Sequence, residues 1–168
     1  MRVFRFTQGC RGETIPWLLV LPLIFFVFLF GAVYFYLDAA RAGVAMAARE
    51  GAREYGVRLG RFDPDYALAM ARGRAWETLV KEGLLKNGSS FLPPGQSPPK
   101  GEKGASVRFS DSGEWVSCEI TYYLPCPLPG LPRLLPASAR PEGESWYRGE
   151  DKHFVFKVGA SAKKEYRN

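Results

Sequence analysis

A run of 24 uncharged residues, Thr14 to Leu37, constrains this chain more than any other feature of its 168 residues. Sixteen of the 24 are Leu, Ile, Val or Phe, against the helix-weakening Pro16, Pro22 and Gly31. At about 1.5 Å per residue a helix of this length reaches roughly 36 Å, enough to cross a hydrocarbon core of about 30 Å with some tilt. Each large apolar side chain near the bilayer centre favours insertion by about 0.3 to 0.6 kcal/mol, which together outweigh the prolines and the glycine. The run therefore predicts a retained membrane anchor. A cleaved secretory signal has an apolar core of only about 7–15 residues that ends at small residues. This run instead ends in Tyr34, Phe35 and Tyr36. No face of the segment is polar, so a half-buried helix of a soluble domain fits poorly.

Arg2, Arg5 and Arg11 stand before the anchor against one acid, Glu13. Basic residues beside a first span stay cytoplasmic, which predicts an inside N-terminus and an inner-membrane, single-pass topology. The 131 residues from Asp38 onward are then extracytoplasmic. They hold 20 basic and 16 acidic residues of the chain's overall +6, interleaved in sign. A nucleic-acid binder concentrates positive charge on one stripe, so no nucleic-acid partner is expected. Three cysteines remain, Cys10 before the span and Cys118 and Cys126 beyond it. Only the latter two share an oxidising compartment in this topology. A disulfide between Cys118 and Cys126 requires the chain to reverse between them, which Pro125 permits, and the sequence leaves the bridge open. Cys10 does not fit a lipoprotein signal, because the apolar run follows it.

Beyond Leu37 the composition turns alanine-rich without losing helical character. Residues 38–60 contain nine Ala or Gly before Glu54 and no proline, predicting one helix that continues from the anchor. Ala39, Gly43, Ala47 and Gly51 recur every four residues, with Gly31 in phase. Such a row lets another helix backbone approach closely, although plain alanine-rich propensity explains much of it. Arg49, Glu50, Arg53 and Glu54 read as a solvated face, and Gly56 and Gly60 as places for a bend. A second helix is predicted over residues 61–88: Asp63 caps, Pro64 takes the first helical position, and Asn87-Gly88 ends it. Leu68, Trp76, Leu79, Val80 and Leu84 supply its packing surface.

Residues 89–104, rich in Pro, Gly and Ser, form a loop. A β domain is expected over residues 105–168. Ala105 to Phe109 leads through a turn at Ser110-Asp111-Ser112-Gly113 into a strand that alternates Val116, Cys118, Ile120, Tyr122 and Leu124 with more polar neighbours. A last strand puts Phe154, Phe156, Val158 and Ala160 on one face. Pro125 to Pro136 carries too much proline for a central strand and reads as an outer connection. The expected class is α+β: a long N-terminal helix, a second helix and a small antiparallel sheet.

The order of these parts carries a resemblance. A basic leader (residues 1–13) with Gly12 precedes an apolar helix opening WLLVLPL, then the extension AARAGVAMAAREGAREYGV, then a small sheet domain. This resembles the TadE-like family of pilin-related proteins from the tight-adherence branch of type IV pilus machinery. The likeness is strongest from Arg11 to Val57; EITYYLPCPLPGLPRLL and FKVGASAKKE resemble the family's closing strands and end on Glu165. It implies a minor pilin or pseudopilin that takes part in pilus assembly and cell adhesion. The implied partners are membrane lipid, other pilin-like subunits, the assembly platform and a prepilin peptidase cutting at Gly12 and Glu13. Helix packing through Pro22, Gly31, Ala39, Gly43, Ala47 and Gly51 would then hold subunits together. The chain departs from the family at the fifth mature position: a cut after Gly12 makes Trp17 fifth, and Glu13 is fifth only after a cut at Gln8. Either it is processed without the fifth-position acid or it is never cut.

No catalytic constellation is legible, and no enzyme activity, cofactor or metal is expected. The one histidine, His153, reads as an exposed residue at a strand start. Cys118 and Cys126 are eight apart without zinc-ligand spacing. Gly101-Glu102-Lys103-Gly104 lacks the helix that a phosphate loop requires. The competing class is an anchored extracytoplasmic binding module outside any filament, with Trp115, Trp146 and Tyr147 as contact aromatics.

Overall fold

The computed structural model describes the backbone of residues 14–126, 147–148 and 153–165, and the side chains of residues 20–126 and 153–165. The expected leader and the proline-rich connection lie outside these residues, as do Gly12, Glu13 and Trp146. The chain divides into two units, Met1–Asp38 and Ala39–Asn168. Its elements are α1 (Thr14–Leu59), α2 (Pro64–Lys81), β1 (Gly104–Ser112), β2 (Trp115–Pro125), β3 (Tyr147–Arg148) and β4 (His153–Lys163). The α+β class read from the sequence is the observed one.

In the first unit α1 is helical from Thr14 through Pro22. Its large apolar side chains, among them Leu21, Leu23, Phe25, Phe26, Phe28 and Phe30, are exposed. The second unit inverts that pattern. Ala40, Val44, Ala48, Ala52 and Tyr55 recur at three- or four-residue steps with Ala47 beside them, and all six are buried. Such spacing lines one helical face, and the small side chains bring the backbone of α1 close to what covers it. A Cβ at Gly51 would stand 3.1 Å from Cys118 Sγ and 3.2 Å from Ala75 Cβ. One at Gly43 would stand 2.9 Å from Leu84 Cδ1. Real Cβ contacts almost never come as close as the latter, so a side chain at Gly43 would displace the Leu84 methyl.

Helix α2 begins as the sequence indicates, with the Asp63 carboxylate accepting from the Asp65 N–H at 3.1 Å and Pro64 in the first turn. It stops six residues before the expected Asn87, at Lys81. Gly83 adopts φ +68°, and the Leu84 N–H reaches back to the Leu79 carbonyl at 2.9 Å while the Gly83 N–H reaches the Val80 carbonyl at 3.0 Å. This pair of bonds is a Schellman ending, with buried Leu79 and Leu84 as its apolar contact. The inward face of α2 is Ala67, Ala71, Ala75 and Leu79. Trp76 sits half-buried, its indole N–H donating to the Ser89 carbonyl at 2.7 Å.

The sheet is antiparallel in the order β1-β2-β4-β3. β1 runs three residues past the expected Phe109 because pairing continues to Ser112↔Trp115, leaving a two-residue turn, Gly113-Glu114, with Gly113 at φ +61°. A Ser110 to Ser117 hydroxyl contact of 2.6 Å crosses the lengthened ladder. On the inward face Val116, Cys118, Ile120, Tyr122 and Leu124 of β2 are buried, paired to Ala162, Ala160, Val158, Phe156 and Phe154 of β4. Tyr55, Ala67, Ala71 and Val116 form the core at one end, ringed by Leu59, Leu68, Phe109 and Ala162. The Tyr55 and Phe109 rings meet edge-on at 5.4 Å.

Candidate functional site

The N-terminal part of α1 is the strongest functional feature of the described residues. It is one helix long and apolar enough to cross a membrane, and none of the window that qualifies it is buried. A helix apolar all round has no place at a water-facing protein surface, where each large side chain left in water forgoes about 1.5–3 kcal/mol of transfer free energy. Phe25 with Phe26 and Tyr34 with Phe35 meet as edge-on rings at 6.5 Å and 6.1 Å, all on its exterior. Pro22 lies inside this segment and is exposed. Gly31 has no atom within 4 Å of the place a Cβ would occupy, so another helix has room to approach there.

The rest of the small-residue row serves this chain's own fold. Gly43, Ala47 and Gly51 are buried, and Gly43 and Gly51 face Leu84, Ala75, Phe109 and Cys118, whereas Ala39 is exposed. The row expected to receive a neighbouring helix is therefore split: its lower part is occupied by α2 and the sheet. Of the bend expected at Gly56 and Gly60, only the second position shows it: Gly60 opens the turn between α1 and α2. Gly56 lies within unbroken α1, and a Cβ on it would sit 3.0 Å from the Lys163 carbonyl oxygen; at Gly60 the Glu165 carbonyl oxygen would be 2.9 Å away. Both glycines admit the end of β4. The Glu165 N–H donates to the Gly56 carbonyl at 3.3 Å.

The Cys118–Cys126 bridge left open by the sequence is not formed. Pro125 continues β2 instead of reversing it, and eight residues of extended strand separate α-carbons by about 26 Å, far beyond the reach of a disulfide. Cys118 is buried against Gly51, and that burial, reinforced by the neighbouring Glu119 carboxylate, pushes its thiol up to about 12. A thiol held protonated is a poor nucleophile.

His153 is fully buried, contrary to its expected exposure. It pairs with Pro125 in the ladder, meets Tyr123 edge-on at 6.4 Å, and lies 2.8 Å through Nε2 from the Glu102 carbonyl. The carbonyl oxygen can only accept, so Nε2 donates to it, and the buried Nδ1 has no hydrogen-bond partner among the described residues. The loop before β1 is thus fastened down: Leu92 N–H to Ala105 carbonyl at 2.7 Å, Lys103 ammonium to Gly83 carbonyl at 2.9 Å, and the Tyr122 hydroxyl to the Leu84 carbonyl at 2.8 Å. Among the described residues no three His, Cys, Asp or Glu side chains gather as a metal site.

Comparison with protein-family models, curated proteins and solved structures gives no match. The functional reading rests on the chain itself. Among the described residues, two concavities mark the surface of the second unit. One of about 130 Å³ lies on the outer sheet face between Pro94, Arg108, Glu119 and Thr121. The other, about 570 Å³, runs between α1 and α2 with Glu50, Arg53, Arg58, Met70, Gly73 and Arg74 along it. Ion pairs of 3.6 Å from Arg74 to Glu50 and 3.5 Å from Arg74 to Glu77, with Glu54 paired to Arg58, cross its rim. Glu50 thus reaches across to α2. Trp115 is exposed at the hairpin tip.

Proposed function

We propose that this chain is a TadE-like minor pilin or pseudopilin, a single-pass membrane protein that takes part in assembling a tight-adherence type IV pilus. The observation that carries the reading is α1 itself, whose first part exposes apolar side chains on every side and whose last part carries the second unit's core. An apolar helix leaves a bilayer only where similar helices replace the lipid. Phe25, Phe26, Phe28 and Phe30 are the side chains that would fill such a bundle by dispersion, and open Gly31 is where two helices would approach most closely. The partners of this reading are bilayer lipid, pilin-like subunits and the assembly platform, with processing by a prepilin peptidase at Gly12 and Glu13. The N-terminus is cytoplasmic and the second unit extracytoplasmic. No catalytic role is assigned.

The burial of Gly43, Ala47 and Gly51 favours a second reading, an anchored extracytoplasmic binding module, because these residues are occupied and cannot line an intersubunit bundle. Mass spectrometry of the mature N-terminus in the native host separates the two. A chain beginning at Glu13 supports the pilin reading; an intact Met1, or loss of Met1 alone, supports the module. Recovery of full-length protein in the supernatant of a detergent-free lysate after ultracentrifugation would refute both.

A further inference from the structure

The charges of the second unit are arranged differently at its two ends. Along the α1–α2 groove and on the sheet, acids and bases neutralise one another: Arg74 with Glu50, Lys157 with Glu119 at 3.3 Å, and Lys164 with Asp111 at 2.6 Å. The end where the unit begins carries free cations. A Cβ at Gly43 would stand 3.4 Å from Glu82 Cβ, so the finish of α2 lies beside the first turns that α1 contributes to this unit. Buried Leu84 and Leu85 pin the segment after α2, with Lys81 and Lys86 exposed on either side of them. The Lys103 bond to the Gly83 carbonyl draws the turn at residues 99–102, and exposed Lys100 with it, to the same end. Exposed Arg41 stands two residues before Gly43 on α1. Among the described residues, Arg41, Lys81, Lys86 and Lys100 form no ion pair, and the acids beside them, Glu82 and Glu102, are outnumbered.

We propose that this end of the second unit docks on the anionic phosphates of the lipid leaflet from which the chain emerges, with Arg41, Lys81, Lys86 and Lys100 as the contacting cations. The inference rests on the membrane-anchor part of the reading above and not on its pilin part. Covalent connection supplies the position. The apolar run ends at Leu37 and the second unit begins at Ala39, so the end that carries Arg41 and Gly43 is the tethered one. From Ala39 to Gly43 a helix rises only about 6 Å, which is within the Debye length of about 8 Å at physiological salt. Charge complementarity supplies the occupant. A headgroup layer presents a plane of phosphates, and basic side chains held beside it are attracted without any shaped pocket. Bases already neutralised by their own acids, as along the groove and on the sheet, have little to gain from such a layer.

The full-length chain in lipid nanodiscs tests it, in a background with Cys10→Ser and Cys126→Ser and with buried Cys118 retained. A fluorophore on Asn87→Cys, an exposed position next to Lys86, reports its distance to lipids spin-labelled on the headgroup. A fluorophore on Trp115→Cys is the control, eight residues along β2 from Tyr123 and about 27 Å farther from this end. With about a third of the lipid anionic, quenching at position 87 should be about twofold stronger than in zwitterionic discs. It should return to the zwitterionic level in about 1 M salt, where the Debye length is about 3 Å. Lys81→Gln, Lys86→Gln and Lys100→Gln together, all at exposed positions, should remove the same increment at low salt while circular dichroism stays unchanged. Equal quenching at position 87 in the two lipids, an increment that survives the salt or the three substitutions, or equal quenching at position 115 would each overturn the proposal. A chain that does not enter nanodiscs at all would refute the anchor itself, and the proposal with it.

Discussion

Gly51→Val places two questions on one residue: whether the small-residue row serves the chain's own core, and how tightly that core is filled. A Cβ there already meets Cys118 Sγ at 3.1 Å, Ala75 Cβ at 3.2 Å and Phe109 Cζ at 3.5 Å. Valine adds two methyl groups beyond that atom, into a site bounded by a strand, a helix and an aromatic ring. Overpacking of this kind costs about 1–3 kcal/mol, against which helix propensity returns only a few tenths of a kcal/mol on replacing glycine. The net expectation is about 2 kcal/mol of destabilisation. For a unit of this size that lowers Tm by roughly 6–10 °C. Thermal unfolding of the full-length chain in detergent, followed by near-ultraviolet circular dichroism, measures it. Gly73→Ala is the internal control. It lies on α2 with nothing within 4 Å of its Cβ position, so it should raise stability by about 0.8–1 kcal/mol through propensity alone. The double variant Gly51→Val with Cys118→Ala should recover part of the loss, about 0.5–1.5 kcal/mol of coupling, because the sulfur is the nearest obstruction. Unchanged stability of Gly51→Val, or no coupling to Cys118, would refute the close packing of α1 on β2.

Three further expectations follow from the same geometry. Gly60→Ala and Gly56→Ala should loosen the end of β4, since each introduces a Cβ about 3 Å from a backbone oxygen that cannot rotate away; amide exchange at residues 163–165 should speed up while exchange in mid β2 stays unchanged. Cys118 has a folded pKa of about 12 against 9.0 unperturbed, so the unfolded chain loses this proton first as pH rises. Its contribution to stability is full below pH 9 and falls by about 1.4 kcal/mol per pH unit between 9 and about 12; the stability difference between the parent and Cys118→Ala across that window isolates it. The same burial should confine Cys118 labelling by a thiol reagent to the unfolded chain. Tyr122→Phe removes the buried hydroxyl bond to the Leu84 carbonyl and should cost about 1–2 kcal/mol in chemical denaturation, with unchanged m-value.

The elements themselves were largely legible, because each rests on a local signal. The apolar run fixed a helix from Thr14, the Asp63-Pro64-Asp65 start of α2 was read from capping chemistry, and the period-two alternation of Val116 to Leu124 gave the inward face of β2. What the sequence alone determined is therefore the α+β class, the order of helices and strands, and a segment long and apolar enough to span a bilayer. Tertiary structure decided the rest, because glycine and histidine report nothing about their neighbours until those neighbours arrive. Gly43 and Gly51 looked like a surface for another molecule and proved to be the floor under Leu84 and Cys118. Gly56 looked like a bend and proved to lie in unbroken helix, a clearance for the Lys163 carbonyl. His153 looked exposed until a strand partner and a loop carbonyl closed over it. Periodicity along a chain fixes which face is apolar; only packing fixes what that face touches, since contact depends on residues a hundred positions away.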